Sequence, residues 1–206
     1  MEKQKLVALT FDDGPSNITE KVLDILEENN IVGTFFLIGN QVKSDKKATM
    51  ERQLALGCEI ANHSFTHGDM GKMTAEVIRQ ELDSTSAVIK DMVNVETKFF
   101  RPPFISVSDT LYDTVELPFI CGLDSRDWDP ATTAQDRIDR VLNSACDGAM
   151  FLMHDMQDNQ KTLDALPVII KKLKEQGYEF ATVSQLFAAK GIDPNVKHKM
   201  WSTVFD

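Results

Sequence analysis

Short apolar segments alternate along this chain with longer segments in which apolar residues recur at helical spacing. Residues 6–11 and 34–38 are nearly continuous apolar runs, which is typical of strands buried on both faces of a sheet. Between residues 74 and 93, apolar side chains recur every three or four positions, which predicts an amphipathic helix. Strands and helices that alternate in this way predict a parallel sheet built from βαβ units.

The complete pattern contains seven or eight short strands. We predict strands at 6–11, 34–38, 58–61, 98–101, 117–121, 123–125, 149–153 and 179–181. The first helix should begin at Asn17, which can cap it, and further helices are predicted at 44–56, 74–93, 133–146, 163–175 and 183–189. Pro167 should start or kink the helix at 163–175, and Gly177 should end it in the left-handed conformation. The segment 193–206 shows no regular pattern, and we expect an irregular strap there.

This strand count suits a barrel, but the length is short for a complete one. Eight strand–helix units typically need about 250 residues, and this chain has 206. We therefore expect an α/β fold, a distorted (β/α)7-8 barrel, in a single domain that spans residues 1–206.

The charge narrows the range of partners. A formal net charge of −10 opposes binding to phosphate backbones and anionic lipids, so neither nucleic acid nor a membrane is an expected partner. The chain lacks an apolar run of about 18 residues, the length of a transmembrane helix. No secretory signal follows Met1, which fits either a cytoplasmic protein or a trimmed secreted one.

The three cysteines give no sign of a disulfide framework. Cys58, Cys121 and Cys146 lie among apolar or small residues, and the chain contains no Cys-x-x-Cys pair. We expect buried thiols that serve as small apolar side chains.

Polar side chains follow five of the predicted strands, at the point where each strand ends. They are Asp12 and Asp13, His63 and His67, Arg101, Asp127 and Trp128, and His154 and Asp155. The carboxyl ends of parallel barrel strands share one face, which is where active sites form in such folds. We expect these five segments to converge on one pocket.

The first two segments have the composition of a metal site. His63 and His67 are four residues apart, so one turn of backbone can direct both rings to the same ion. Asp12 and Asp13 leave a strand in different directions, so one carboxylate can bind a metal while the other contacts a reacting water. Two imidazoles and one carboxylate leave open positions, as in catalytic sites, and zinc is the expected metal, with cobalt or nickel as alternatives. An acidic turn and two unrelated loop histidines remain the plainer alternative.

The later segments add candidate acid–base chemistry. His154 near a metal suits a general acid, because the pKa of histidine lies near neutrality. Arg101 before two prolines could hold a carboxylate, and Trp128 could form a wall for an acetyl group or a sugar. A surface arginine, a core tryptophan and a structural histidine are the corresponding alternatives. His198 has no partner motif and is expected to be solvated.

With these residues in place, the chain resembles the polysaccharide deacetylases of the NodB-homology type, carbohydrate esterase family 4. All five family motifs have a counterpart in order: Thr10-Phe11-Asp12-Asp13-Gly14-Pro15, His63-Ser64-Phe65-Thr66-His67, Arg101-Pro102-Pro103-Phe104, Asp124-Ser125-Arg126-Asp127-Trp128 and Leu152-Met153-His154-Asp155. The match spans about residues 5–190. The family fold is a distorted barrel with seven or eight strands, which agrees with the pattern above.

The resemblance implies a role for each motif residue. It implies that Asp12 is the catalytic base with Arg101 as its partner, and that His154 is the catalytic acid with Asp127 as its partner. The implied metal ligands are Asp13, His63 and His67. The substrate is then contacted by the backbone N–H of Phe104 as an oxyanion donor, by Trp128 and Leu152 as the lining of the acetyl pocket, and by Pro103. Many family members have glycine soon after the Arg-Pro-Pro turn, whereas here Ile105 follows Phe104, so the groove beside this turn is expected to differ.

The resemblance is strongest to the acetylxylan esterases of the family, through segments 99–110, 127–130 and 191–200. It implies O-deacetylation of xylan, with N-deacetylation of chitin-type or peptidoglycan N-acetylglucosamine as the alternative. Two other classes remain, namely a carbohydrate-binding module with a degenerate site and a metal-dependent amidase that acts on a small molecule. The expected partner is an acetylated polysaccharide, the expected state a monomer, and the expected location the cell surface or exterior.

Overall fold

The computed structural model describes residues 4–206. Met1 and the two residues after it, to which the prediction about a secretory signal refers, lie outside the described part. The strands are β1 (Lys5–Gly14), β2 (Thr34–Leu37), β3 (Glu59–Asn62), β4 (Phe119–Ile120), β5 (Leu123–Asp124), β6 (Ala149–His154), β7 (Tyr178–Phe180) and β8 (Met200–Trp201). The helices are α1 (Thr19–Glu28), α2 (Lys47–Ala55), α3 (Ala75–Val93), α4 (Asp109–Thr114), α5 (Ala134–Ser144), α6 (Gln160–Glu175) and α7 (Val183–Lys190).

The strand β1 lies at the centre of a parallel sheet. The sheet runs in the order β3-β2-β1-β6-β5, and β7 pairs with the first residues of β1. Asp12 lies opposite Phe36 on one side and His154 on the other. Because all these pairs are parallel, the carboxyl ends of β1, β2, β3 and β6 meet at one edge.

The alternation of side chains along β1 explains why its polar end reaches the interior. Val7, Leu9 and Phe11 pack between the sheet and the helices, whereas Ala8 packs in the inner cluster of the barrel. Successive strand residues point to opposite faces. Asp12 therefore continues the inner register of Ala8, and it is only 2% exposed.

The C-terminal tail is part of the barrel, so the expectation of an irregular strap was wrong at β8. Phe119 and Ile120 of β4 pair in parallel with β8. The backbone N–H of Met150 in β6 donates to the carbonyl of Ser202, at 3.2 Å. Trp201 is buried, with its ring edge against Phe187. The tail thus fills the space between β4 and β6, and the parallel fold is a distorted barrel.

Three local predictions differ from the structure. Asn17 does not cap α1, because its side chain donates instead to Asp158. Residues 98–101 form bridges only at Phe100, which joins β3 to β4 before the two prolines end the extended segment. The last long helix begins at Gln160, and Pro167 lies inside it on an exposed position.

Two of the cysteines and His198 differ in part from the predictions. Cys58 is buried, but Cys121 is only partly buried and Cys146 is exposed, and all three are free thiols. His198 is exposed, as expected, but it also has a partner, since its Nε2 lies 2.7 Å from Asp113 Oδ1 and its ring stacks on Tyr112. Among residues 4–206, none of the helices combines the length and apolar character needed to cross a bilayer.

Candidate metal centre and active site

Three donor groups from two strand ends meet at the carboxyl edge of the sheet. Nε2 of His63 and Nε2 of His67 lie 3.5 Å and 3.2 Å from Oδ1 of Asp13. Two ligands that bind one zinc ion at about 2.0–2.2 Å with tetrahedral angles lie roughly 3.4 Å apart. Oδ1 of Asp13 is buried and accepts no hydrogen bond. The donor set therefore fits a single divalent metal ion.

The charge states of these groups also suit a metal. Burial raises the pKa of Asp13, but contact with His63 and the nearby charges of His154 and His67 outweigh it and lower that pKa to about 2. Burial lowers the pKa of His67, and the neighbouring His63 lowers it further. Metal ions bind carboxylates and neutral imidazoles, so both shifts favour the binding form.

The ring of His63 is oriented by a backbone carbonyl. Its Nδ1 lies 2.7 Å from the carbonyl oxygen of Arg101, and a carbonyl can only accept, so Nδ1–H donates. The lone pair is then on Nε2, which faces Asp13. The segment that carries Arg101 thus fixes the tautomer of this ligand.

The loop between the two histidines is held by a buried glutamate. Ser64 and His67 have φ values of 65° and 59°, in the left-handed region that is unfavourable for side chains other than glycine. Glu81 of α3 accepts hydrogen bonds from the N–H of Phe65 at 2.9 Å and from the N–H and hydroxyl of Thr66, both at 2.8 Å. Three bonds to one carboxylate hold this turn in the conformation that brings His67 to the site.

Beside the metal donors, Asp12 forms an ion pair with Arg101. Nη1 of Arg101 donates to Oδ1 of Asp12 at 2.5 Å, and Nε donates to the carbonyl of Ile120 at 3.2 Å. The guanidinium is fully buried and lies over the ring of Phe36, with 4.1 Å to its centroid. The other carboxylate oxygen, Oδ2, lies 3.7 Å from Nε2 of His63. Arg101 therefore fixes one oxygen of Asp12 and leaves the second toward the metal donors.

On the adjacent strand, His154 is held by Asp127. Nδ1 of His154 lies 2.6 Å from Oδ1 of Asp127, and its backbone N–H donates to Oδ2 at 2.8 Å. Burial lowers the pKa of His154, but the charge and hydrogen bond of Asp127, with smaller effects of Asp12 and Asp13, raise it to about 9. Asp127 has no exposed surface, and despite its burial the contact with His154 lowers its pKa. The pair therefore places a protonated imidazole beside the metal donors at neutral pH.

These groups open into one cavity of about 450 Å³. Its lining comprises Asp12, Asp13, His63, His67, Pro102, Phe104, Ile105, Cys121, Asp124, Trp128, Leu152 and His154. Two aromatic rings stand at this cavity, since Phe104 is 68% exposed and Trp128 is 50% exposed. Phe104 also meets His67 edge to face, with centroids 4.8 Å apart. Exposed aromatic side chains beside a cavity are suited to contact with a sugar ring.

Eight of the predicted site residues line this cavity, and three lie behind it. Arg101 and Asp127 are buried behind Asp12 and His154, where they contact those side chains rather than the cavity. Pro103 is also buried, and its neighbour Pro102 is the proline that reaches the lining.

Two residues near the site, Cys121 and Glu81, were not among the sequence candidates. Cys121 lines the cavity together with Ile105 and Asp124, and Glu81 supports the loop between the two histidines. The sequence does contain a signal for Glu81, because this acidic residue lies on the same face of α3 as the buried residues Ile78 and Thr85.

Asp155, which was expected at the pocket, is fully buried and does not line the cavity. Asp155 lies against Gly14, where a Cβ atom would fall 2.5 Å from its Oδ2. That contact explains why glycine is needed after Asp12-Asp13.

Fold and site together define a class, namely α/β barrels that bring a set of possible metal donors and two partnered titratable side chains, Asp12 and His154, to the carboxyl ends of their strands. The family model described as polysaccharide deacetylase matches residues 1–118. The chain belongs to this family, which confirms the resemblance found in the five motifs.

Two curated relatives show the range of the family. Over 98% of its length the chain is 53% identical to a bifunctional xylanase/deacetylase of Pseudobutyrivibrio xylanivorans, of which it covers 34%. It is 34% identical, over 90% of its length, to the peptidoglycan-N-acetylglucosamine deacetylase PgdA of Listeria monocytogenes, of which it covers 40%. The chain thus spans little more than a third of the length of these relatives.

Two solved structures match the chain over nearly its whole length. The Xyl-CE4 domain of a multidomain xylanase from the hindgut metagenome of Trinervitermes trinervoides is 50% identical with a TM-score of 0.97, and the match covers 98% of this chain and 99% of that one. A family 4 acetyl xylan esterase from Clostridium thermocellum, in complex with a cobalt ion, is 43% identical with a TM-score of 0.93. This match covers 97% of the present chain and 99% of the esterase. Both confirm the predicted fold class.

The support that Glu81 gives to the loop between His63 and His67 leads to a testable expectation. Replacing Glu81 with glutamine removes the charge that accepts three hydrogen bonds and loosens the loop that positions His67. We expect the Kd for zinc, measured by calorimetry on metal-free protein, to rise by about 10- to 100-fold, the usual cost of losing an outer partner of a metal ligand. Glu76→Gln, an exposed change on the same helix, should leave the Kd unchanged. Equal affinities for both variants would show that Glu81 does not support the site.

Proposed function

We propose that this chain hydrolyses acetyl esters on xylan, as a metal-dependent deacetylase. The observation that carries the proposal is the meeting of Asp13, His63 and His67 with Asp12 and His154 in one open cavity. A binding module would not need a metal donor set and two partnered acid–base groups at the same place. The proposal takes the chain to act as a monomer, because every group of the site comes from one chain.

A divalent ion held by Asp13, His63 and His67 would supply positive charge and Lewis acidity at the base of the cavity. We assign to Asp12 the role of base that accepts the proton of the attacking water. Its Oδ1 is already occupied by Arg101, so Oδ2 is the oxygen available for that proton. The backbone N–H of Phe104, in a turn where both Phe104 and Ile105 have positive φ, is the proposed donor to the developing oxyanion.

We assign to His154 the role of acid that protonates the leaving sugar oxygen. Its Nδ1–H is bound by Asp127, so the proton on Nε2 is the one available to the substrate. The raised pKa keeps the ring protonated at neutral pH. Leu152 and Trp128 at the cavity are the proposed contacts of the acetyl group, and the exposed ring of Phe104 the proposed contact of the sugar.

The choice of xylan rests on the relatives. The two solved structures with 50% and 43% identity are a domain of a xylanase and an acetyl xylan esterase. A polymeric substrate of this kind places the proposed action at the cell surface or outside the cell.

The role proposed for Asp12 is tested by replacing it with asparagine. The amide has the same shape but cannot accept the proton of water at neutral pH. We expect acetate release to fall by about 10²-fold or more, the usual scale for loss of a general base. Metal content, measured on the same preparation, should stay near one ion per chain, because Asp12 is not one of the three donors. Activity equal to that of the unchanged protein would exclude Asp12 as the base.

We propose zinc as the resident metal, because two imidazoles and one carboxylate with open positions are the usual donors of catalytic zinc. Removal of the metal with a chelator should abolish acetate release, and one equivalent of zinc should restore it. Cobalt and nickel are tested in parallel, since both suit nitrogen and oxygen donors. Full activity of protein shown to be free of metal would contradict the proposal.

The substrate is tested by measuring acetate release side by side on acetylated xylan and on N-acetylglucosamine oligomers. An alkoxide leaves more readily than an amine anion, and we expect faster release from the xylan ester. Preference for the N-acetylglucosamine oligomers would instead indicate an N-deacetylase, and release from neither polymer, with turnover of a small acetamide, would indicate an amidase.

A further inference from the structure

Behind His154 and Asp127 lies a buried arginine that has no role in the reaction described above. Arg137 of α5 is only 2% exposed. Its Nη1 donates to Oδ1 of Asn159 at 2.6 Å and to Oγ1 of Thr162 at 2.8 Å, and its Nε donates to Oγ1 of Thr132 at 3.2 Å. All three acceptors are neutral side chains, which is unusual for a buried guanidinium because its charge has lost the stabilisation by water.

The negative charge nearest in this network is that of Asp127, one side chain beyond these acceptors. Thr162 donates from Oγ1 to Oδ2 of Asp127 at 2.7 Å. Asn159 donates from Nδ2 to the same oxygen at 3.3 Å and to the carbonyl of His154 at 3.1 Å. Burial lowers the pKa of Arg137, and the charge of Asp127, followed by that of Asp129, opposes this shift. A cation and an anion are thus joined through two neutral side chains.

Arg137 holds the far side of the two residues that donate to Asp127. Thr162 accepts from the guanidinium at its hydroxyl oxygen and gives its one proton to Asp127, and Asn159 accepts at its carbonyl oxygen while its amide NH₂ faces Asp127 and His154. Without Arg137, both side chains lose the donor that fixes their rotamers, and they are free to move away from the carboxylate.

The result is a carboxylate with its two oxygens assigned to different partners. Oδ2 of Asp127 receives three donors, namely the backbone N–H of His154, Thr162 and Asn159. Oδ1 then remains for Nδ1–H of His154. This arrangement fixes the plane of the carboxylate and with it the plane of the imidazole, so that Nε2 keeps one direction.

We propose that Arg137 is a positioning residue for the acid of the reaction: it orients Thr162 and Asn159 toward Asp127 and thereby holds the ring of His154 in the orientation that delivers its proton to the leaving sugar oxygen. This inference rests on the proposed function of His154. It goes beyond that function because Arg137 touches neither the cavity lining nor His154 and acts through two intermediate side chains.

The test compares two acetyl esters that differ in their need for a proton donor. The leaving alkoxide of an acetylated xylo-oligosaccharide requires protonation, whereas the nitrophenolate of 4-nitrophenyl acetate leaves without it. In the zinc-loaded Arg137→Met variant, we expect kcat on the oligosaccharide to fall by about 10- to 100-fold with KM unchanged. The rate on 4-nitrophenyl acetate should fall by no more than about 3-fold, because the metal donors and Asp12 are untouched.

Three further variants separate this role from a general loss of structure. Arg140→Met removes an exposed arginine from the same helix and should leave both rates unchanged. Thr162→Val removes the hydroxyl that links Arg137 to Asp127 while keeping the shape of the side chain, and Thr162→Ser restores the hydroxyl. Valine should reproduce the selective loss and serine should recover most of the rate, which keeps the test valid if Arg137→Met does not fold. Metal content and circular dichroism are measured for every variant.

His154→Ala on the same two substrates distinguishes failure of this inference from failure of the proposed function. If His154→Ala slows only the oligosaccharide but Arg137→Met and Thr162→Val slow both esters equally, or neither, the positioning role of Arg137 is overturned. If His154→Ala itself slows both esters equally, the proposed role of His154 as the proton donor is wrong. A selective loss in all three variants supports both.

Discussion

The carboxylate of Asp12 lies inside the barrel, and a buried anion is stable only when cations or donors replace the water it has lost. Arg101 provides this compensation, and its guanidinium is itself held by the carbonyl of Ile120 and the ring of Phe36. Its backbone carbonyl also orients His63. One residue therefore ties the end of β1, the segment at Phe100 and a metal donor into a fixed geometry. The rest of the site depends on Arg101, because its ion pair sets where the free oxygen of Asp12 points and its backbone carbonyl sets where the ring of His63 points.

The part of the fold nearest to β1 could be predicted from the sequence. Its strands are continuous apolar runs, and α3 and α5 follow Thr74 and Thr133, whose side chains cap them as start signals should. Because parallel strands end at one edge, polar residues after separate strands were expected to meet, and eight of the eleven predicted site residues line the same cavity. The spacing of His63 and His67 added the chemistry. What these signals share is that each depends on residues close together in the sequence.

The missed features depend on contacts between distant residues. The strand β8 has two residues, too few for any periodicity, and it forms only because β4, about eighty positions earlier, offers an unpaired edge. Arg137 and Glu81 are polar residues on the buried faces of amphipathic helices, where composition alone cannot tell which partner compensates them. Their partners, Asn159 and the backbone of Phe65, lie 22 and 16 positions away. The role of such residues can be recognised only after the positions of the helices relative to the strand ends are known.

The pairing of β8 with β4 also has a consequence for the order in which the protein matures. Synthesis proceeds from the N-terminus, so β1 to β7 leave the ribosome before Met200 and Trp201 do. Until then, the edges of β4 and β6 that the tail later covers remain open, and an open strand edge is a template for pairing with another chain. The barrel can therefore close only after the residues of β8 have been synthesised. In a longer polypeptide, a domain attached after Asp206 would begin to leave the ribosome at the time when β8 pairs with β4. The connection between the two domains would then lie directly beside this pair of strands.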